Sequence, residues 1–161
     1  MTSTQHRETQ IVADPDVPLI RITREFDAPP EKVYRAHVDP ELVAQWMGPD
    51  STRTRIDSWD ARTGGSWRYT ALHEGQEYGF YGSFHELRPS ELIVQTFTFA
   101  GMPDGVALEK LVLEDLGDGR TRLTATSLVD SFEGRDAFVA SGMDVGVNEG
   151  YAKLDELLAR G

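Results

Sequence analysis

Apolar and polar positions begin to alternate at Leu19. In the stretch Leu19-Ile20-Arg21-Ile22-Thr23-Arg24-Glu25-Phe26, Ile20, Ile22 and Phe26 share one face, which predicts a strand. The segment Asp27-Ala28-Pro29-Pro30-Glu31 ends that strand and opens a helix, with Asp27 as the expected cap and prolines tolerated in the first turn. Val33, Tyr34 and His37 follow at helical spacing. Asp39-Pro40-Glu41 opens a second short helix that turns Leu42, Val43 and Trp46 inward, and Gly48-Pro49 ends it. Six strands are then expected near 53–60, 66–73, 77–87, 91–99, 106–116 and 120–129, separated by turn residues such as Gly64-Gly65, Glu74-Gly75 and Gly117-Asp118-Gly119. The last two read as a hairpin in which Val106, Leu108, Leu111 and Leu113 oppose Leu123, Ala125 and Leu128. Val112 interrupts that pattern, which suggests a bulge.

The chain closes with a pattern of helical period from about Arg135 to Ala159. Ala140, Met143, Val147, Tyr151, Leu154 and Leu158 form its apolar stripe. Gly142, Gly146 and Gly150 recur along one flank, and each costs about 1 kcal/mol relative to Ala inside a helix. Three such losses imply close approach, either to the sheet or to a bound molecule. Residues 1–17 lack both apolar content and period and are expected as a flexible arm; residues 18–161 are expected as one domain. A strand, two short helices, a run of antiparallel strands and a long helix define an α+β class, because a doubly wound fold would alternate strand and helix throughout.

Composition narrows the functions open to this architecture. The 161 residues suit one domain, and none is cysteine, which removes thiolate chemistry and disulfides. With 27 acidic against 16 basic residues the net charge is −11, opposite to what nucleic acid or an anionic membrane surface attracts. No apolar run is long enough to cross a membrane and no secretory pattern is visible, so a soluble, cytoplasmic protein is expected. There is no Gly-x-Ser-x-Gly elbow, phosphate loop or dinucleotide fingerprint. His73-Glu74 is followed by a turn glycine rather than a second histidine, so it is no zinc motif. Asp115 and Asp118 fit turn chemistry better than metal binding, and neither a cofactor nor a metal is expected.

Six ordered blocks carry a further signal: Ala28-Pro29-Pro30-Glu31-Lys32-Val33-Tyr34-Arg35-Ala36; Asp39-Pro40-Glu41-Leu42 with Trp46-Met47-Gly48-Pro49; Asp60-Ala61-Arg62-Thr63-Gly64-Gly65-Ser66-Trp67-Arg68; Gly75-Gln76-Glu77-Tyr78 with Gly82-Ser83-Phe84-His85-Glu86-Leu87-Arg88-Pro89; Asp118-Gly119-Arg120-Thr121-Arg122-Leu123-Thr124; and Glu149-Gly150-Tyr151-Ala152-Lys153-Leu154-Asp155-Glu156-Leu157. Over about residues 19–159 the chain resembles the small proteins similar to the activator of the heat-shock protein 90 ATPase, within the START-like (SRPBCC) superfamily. Tyr34, Phe97 and Tyr151 stand where that family often has tryptophan. The resemblance implies a helix-grip fold, a curved antiparallel sheet wrapped around a long C-terminal helix, with a cavity between them. It implies no single activity, since the superfamily includes lipid carriers, hormone receptors, polyketide cyclases and dehydratases.

The expected cavity lining is Trp46, Trp67, Tyr69, Tyr78, Phe80, Phe97 and Phe99, facing Met143, Val147 and Tyr151 on the helix. The alternative is that these aromatics simply fill a solid core. His37 and Arg62 are the candidate polar anchors; Arg62 could equally pair with Asp60 across the Gly64-Gly65 turn. His6 lies in the arm, and His85 beside Glu86 reads as an exposed strand pair. Three functions stay open: binding of a small hydrophobic ligand, a cyclase- or hydrolase-type enzyme drawing on His37, Arg62, Tyr69 or Tyr78, and a chaperone-associated interaction module. A homodimer is neither required nor excluded.

Overall fold

The structure, a computed structural model, describes residues 8–160. Its elements in chain order are β1 (Gln10–Ala13), β2 (Leu19–Phe26), α1 (Pro30–Val38), α2 (Pro40–Trp46), β3 (Arg53–Trp59), β4 (Ser66–His73), β5 (Gln76–Arg88), β6 (Leu92–Phe99), β7 (Ala107–Gly117), β8 (Arg120–Leu128), α3 (Phe132–Ala140) and α4 (Met143–Arg160). All eight strands form one antiparallel sheet in the order β1-β2-β8-β7-β6-β5-β4-β3. The sheet packs against α4, with α1 and α2 between β2 and β3, an α+β helix-grip arrangement.

Four expectations are corrected. Part of the expected arm is ordered: Gln10–Ala13 pair with Ile20–Thr23. The turn between them is held by Asp14, whose carboxylate accepts from the Asp16 and Val17 amides; residues 1–7 lie outside the described part. The cap of α1 is Pro29, with no side-chain cap, rather than Asp27, which lies 3.8 Å from the Arg120 guanidinium. Asp39 does cap the next helix, accepting from the Glu41 amide at 3.0 Å. The bulge of the last hairpin falls between Asp115 and Gly117, not at Val112. Leu111 pairs with Ala125 and Leu113 with Leu123 in unbroken register, which turns Val112 outward. Lastly, the expected closing helix is two. Gly142 adopts φ +87°, a left-handed conformation that ends α3 and lets the chain restart as α4.

Two apolar clusters make the core. In one, Leu154 and Leu158 of α4 meet Phe26, Leu113 and Leu123 of the sheet, with Val33 of α1 and Trp46 of α2 alongside. In the other, Trp67, Tyr69 and Phe84 pack with Trp59, Phe80 and Phe97 on the β3–β6 half of the sheet. Arg24 joins α4 to β2 beneath the first cluster. It is 5% exposed, grips Asp155 with two hydrogen bonds of 2.9 and 2.7 Å, and lies over the Phe26 ring.

The glycine flank of α4 serves a close approach, but to neither partner expected. A Cβ at Gly150 would stand 3.2 Å from the Trp46 carbonyl oxygen, and one at Gly146 3.4 Å from Pro49 Cδ. The helix therefore rests on the α2–β3 connection.

Candidate functional site

Between the two clusters the N-terminal half of α4 stands off the sheet, leaving a cavity of about 340 Å³ that opens to solvent. Trp46, Trp67, Tyr69, Phe80, Phe97, Met143, Val147 and Tyr151 line it, as does His37. Each is placed by strand or helix period: Trp67 and Tyr69 are alternate residues of β4, while Met143, Val147 and Tyr151 lie four apart on α4. Their rings form a continuous wall. Trp67 stacks on Tyr69 with centroids 5.6 Å apart, Tyr69 on Phe80 at 5.2 Å, and Phe80 meets Phe97 at 5.4 Å.

Three expected site residues are not brought there. Tyr78 and Phe99 extend the same aromatic wall past the end of the cavity; Tyr78 is exposed and contacts Phe99 with centroids 6.5 Å apart. Arg62 is exposed and paired with Asp60 at 2.8 Å, outside the lining. The turn it stabilises lies at the β3–β4 end, where Gly64 and Gly65 hydrogen-bond to Phe84 of β5.

His37 occupies a different setting from a solvated helix end. Its Nδ1 lies 2.7 Å from the Val33 carbonyl oxygen, which can only accept, so the proton sits on Nδ1. Nε2 is buried without a partner, and the ring packs edge-on against Trp46 with centroids 4.9 Å apart. Burial lowers its pKa below 6.5, outweighing the Val33 hydrogen bond, and holds the ring neutral.

The sequence reading missed the most consequential group. Glu109 lies on the inner face of β7 with Ala107, Leu111 and Leu113, and it lines the cavity. One carboxyl oxygen accepts from Gln95 Nε2 at 2.9 Å, across the β6–β7 pair. Burial raises the Glu109 pKa above 4.5, and the Gln95 amide and Ser127 hydroxyl only partly oppose it. Ser127, directly opposite on β8, is buried at its hydroxyl and makes no hydrogen bond of ordinary geometry. Solvent reaches Glu109 through the cavity, although protein surrounds its carboxyl on the other sides. Burial likewise raises the pKa of Tyr69 and Tyr151; Arg24 opposes the shift at Tyr151, and Glu109 adds to both. The period of Leu111 and Leu113 carries back to Glu109, but Val106 and Leu108 stand in the opposite phase and leave its face open in the sequence. Trp59 was missed too; it lines the cavity and donates its indole N–H to the Val38 carbonyl at 2.8 Å.

A second depression, of about 320 Å³, lies on the outer sheet face. Ser58, Ser66, Arg68, Ser83 and Thr96 line it together with Trp67, Pro103 and Val106, a more polar mixture than the aromatic wall of the inner cavity. Among the described residues no group of three or more His, Asp or Glu is arranged to hold a metal ion. Nor is any described helix long and apolar enough to cross a membrane.

A curved antiparallel sheet closed over a C-terminal helix with an apolar hollow between them defines the START-like (SRPBCC) class. Within it, residues 27–159 match the model of the family described as activator of Hsp90 ATPase homolog 1-like protein, and the chain belongs to that family. Protein CV1439 of Chromobacterium violaceum is 31% identical, with a TM-score of 0.76 over 87% of this chain and 96% of that one. A Rhodobacter sphaeroides protein is 27% identical, with a TM-score of 0.83 over 94% of this chain and 98% of that one. Protein Ms6760 of Mycobacterium smegmatis shares the fold at 23% identity, with a TM-score of 0.84 over 94% and 97% of the two chains. No curated relative matches the chain.

Proposed function

We propose that this chain binds a small hydrophobic molecule in the cavity between its sheet and α4, as a cytoplasmic ligand-binding protein. The observation that supports it is an apolar hollow of about 340 Å³ bounded by two separately packed clusters. Small-molecule sites span about 300–1,000 Å³ and are walled by aromatic and aliphatic side chains with few polar groups. A solid core would leave no such space, since interiors normally pack to crystal density.

The test is titration of the purified chain with an apolar, environment-sensitive dye, alongside native mass spectrometry for retained molecules. Val147→Phe fills the hollow from the helix side and is expected to weaken dye binding about tenfold. Unchanged dye affinity in a folded Val147→Phe variant would exclude the cavity as the binding site.

A second reading, a cyclase- or hydrolase-type enzyme, gains support from Glu109, a carboxyl of raised pKa inside the hollow beside a serine hydroxyl. It requires turnover that Glu109→Gln abolishes while dye binding persists. Association with a chaperone rests on the family description alone; a pull-down that retains no chaperone removes it.

A further inference from the structure

Among the described residues, the polar groups lining the cavity are Glu109, Gln95, His37, Thr126, Ser127 and the hydroxyls of Tyr69 and Tyr151, with Glu109 the sole carboxylate. Glu109 brings a carboxyl whose Oε1 accepts from Gln95 at 2.9 Å, with the Ser127 hydroxyl opposite it on β8. His37, with its proton committed to Val33 through Nδ1, has only a lone pair on its buried Nε2. Ser127 adds a hydroxyl without a partner. Against these stands one unpartnered pure donor, the Trp67 indole N–H. Among the described residues no lysine or arginine lines the cavity, so the charge its lining can offer a ligand is that of the Glu109 carboxylate. Around it stand the faces and edges of Trp46, Trp59, Trp67, Tyr69, Phe80 and Phe97. Aromatic faces attract cations through the ring quadrupole, and do so more strongly where water is excluded.

We propose that the preferred ligand is a lipophilic amine, bound as its ammonium ion with the charge on Glu109 and the hydrocarbon body against the aromatic wall. This inference rests on the ligand-binding reading above and narrows it to a chemical class. An anionic ligand would meet Glu109 with no cation to offset it. A neutral ligand would leave the Glu109 carboxylate without a counter-charge. An ammonium ion supplies the positive charge that the lining lacks, together with N–H donors for the carboxylate.

The proposal fixes the sign of a pH dependence. Burial raises the Glu109 pKa above 4.5, so an ammonium ion, which pairs with the carboxylate, competes there with a proton. Affinity for an amine therefore rises with pH above 4.5, while an alkylamine itself stays charged to about pH 10. The other titratable groups lining the cavity do not reverse the sign. His37 is held neutral, and Tyr69 and Tyr151 are pushed further from ionisation. Arg24, beneath Tyr151, is already paired with Asp155.

The experiment is calorimetric titration of the full chain with three probes of matched shape: 4-phenylbutylamine, 4-phenylbutanol and 4-phenylbutyrate. The amine is expected to bind about tenfold tighter than the alcohol, as a desolvated cation–π contact with an ion pair allows, and the acid weakest. In Glu109→Gln the advantage of the amine over the alcohol should disappear. Equal or tighter binding of the alcohol or acid overturns the proposal in the unmodified protein, whatever the fate of the variant. An amine advantage that survives Glu109→Gln, or an amine affinity that falls as pH rises, overturns it as well. If the apolar dye binds and no probe does, the amine assignment fails alone; if neither dye nor probe binds, the ligand-binding reading fails with it.

Discussion

His37 and Glu109 sit in the same hollow, and burial drives each toward its neutral form. For His37 the pKa in the folded state lies below 6.5, so between the two values the unfolded chain holds more protons. Its contribution is present above pH 6.5 and is lost as pH falls through the folded-state value. Glu109 runs the other way. Its folded-state pKa lies above 4.5, so its contribution is present below 4.5 and is lost as pH rises through the folded-state value. Urea midpoints of Glu109→Gln and the parent, measured between pH 4 and 8, should therefore diverge in favour of the variant as pH rises. A constant difference across that range would mean that Glu109 ionises in the folded protein as it does in water. Of these two residues, one was readable from sequence as a candidate and the other was not. His37 stands beside apolar neighbours on a short helix. Glu109 was passed over because Leu108 and Val106, which are apolar, suggested the opposite phase for β7. Leu108 is in fact 41% exposed, on the outer face.

At the scale of elements, α4 divides into two halves with different supports. Its C-terminal half is fastened by Leu154 and Leu158 in the apolar cluster, by Asp155 on Arg24, and by Lys32 of α1 donating to the Leu158 carbonyl at 3.1 Å. Its N-terminal half touches the α2–β3 connection through Gly146, Gly150 and Glu149, which accepts from the Asp50 amide, and turns Met143 and Val147 toward the hollow. The two glycines make separable predictions. Ala at Gly146 meets only ordinary contact with Pro49 and should stabilise the protein by up to about 1 kcal/mol, its gain in helix propensity. Val at Gly150 drives further side-chain bulk toward the backbone oxygen of Trp46 and should destabilise it by about 1–3 kcal/mol. Thermal denaturation of both variants checks the pair; equal effects would mean that α4 does not depend on this approach. The break at Gly142 could not be read from the apolar stripe, because Ala140 and Met143 continue the helical spacing across it. What breaks the helix is the placement of α3, whose Arg135 is buried and donates to the Asp14 and Leu19 carbonyls at 2.8 and 2.9 Å.

For the whole molecule, the uneven support of α4 predicts an uneven rigidity. Local opening follows the density of packed apolar contacts. Hydrogen exchange should therefore be faster at the amides of residues 147–150 than at 154–158, and a bound ligand should slow the former set selectively. Uniform protection along α4, with or without ligand, would contradict the division into a packed half and a spanning half.

What the sequence determined by itself is local. Strand period, turn residues and helix starts depend on neighbours a few positions apart, and so the six expected strands from β3 to β8, the two short helices and the ordered family blocks could be read directly. The pairing of Gln10–Ala13 with β2, the division of α3 from α4, the inward turn of Glu109 and the existence of the hollow were decided only in three dimensions. Their cause is the same in each case. Whether facing side chains meet or leave a space depends on how far the Trp46–Pro49 connection and the Arg24–Asp155 pair hold α4 from the sheet, and that distance is a sum over residues remote in sequence.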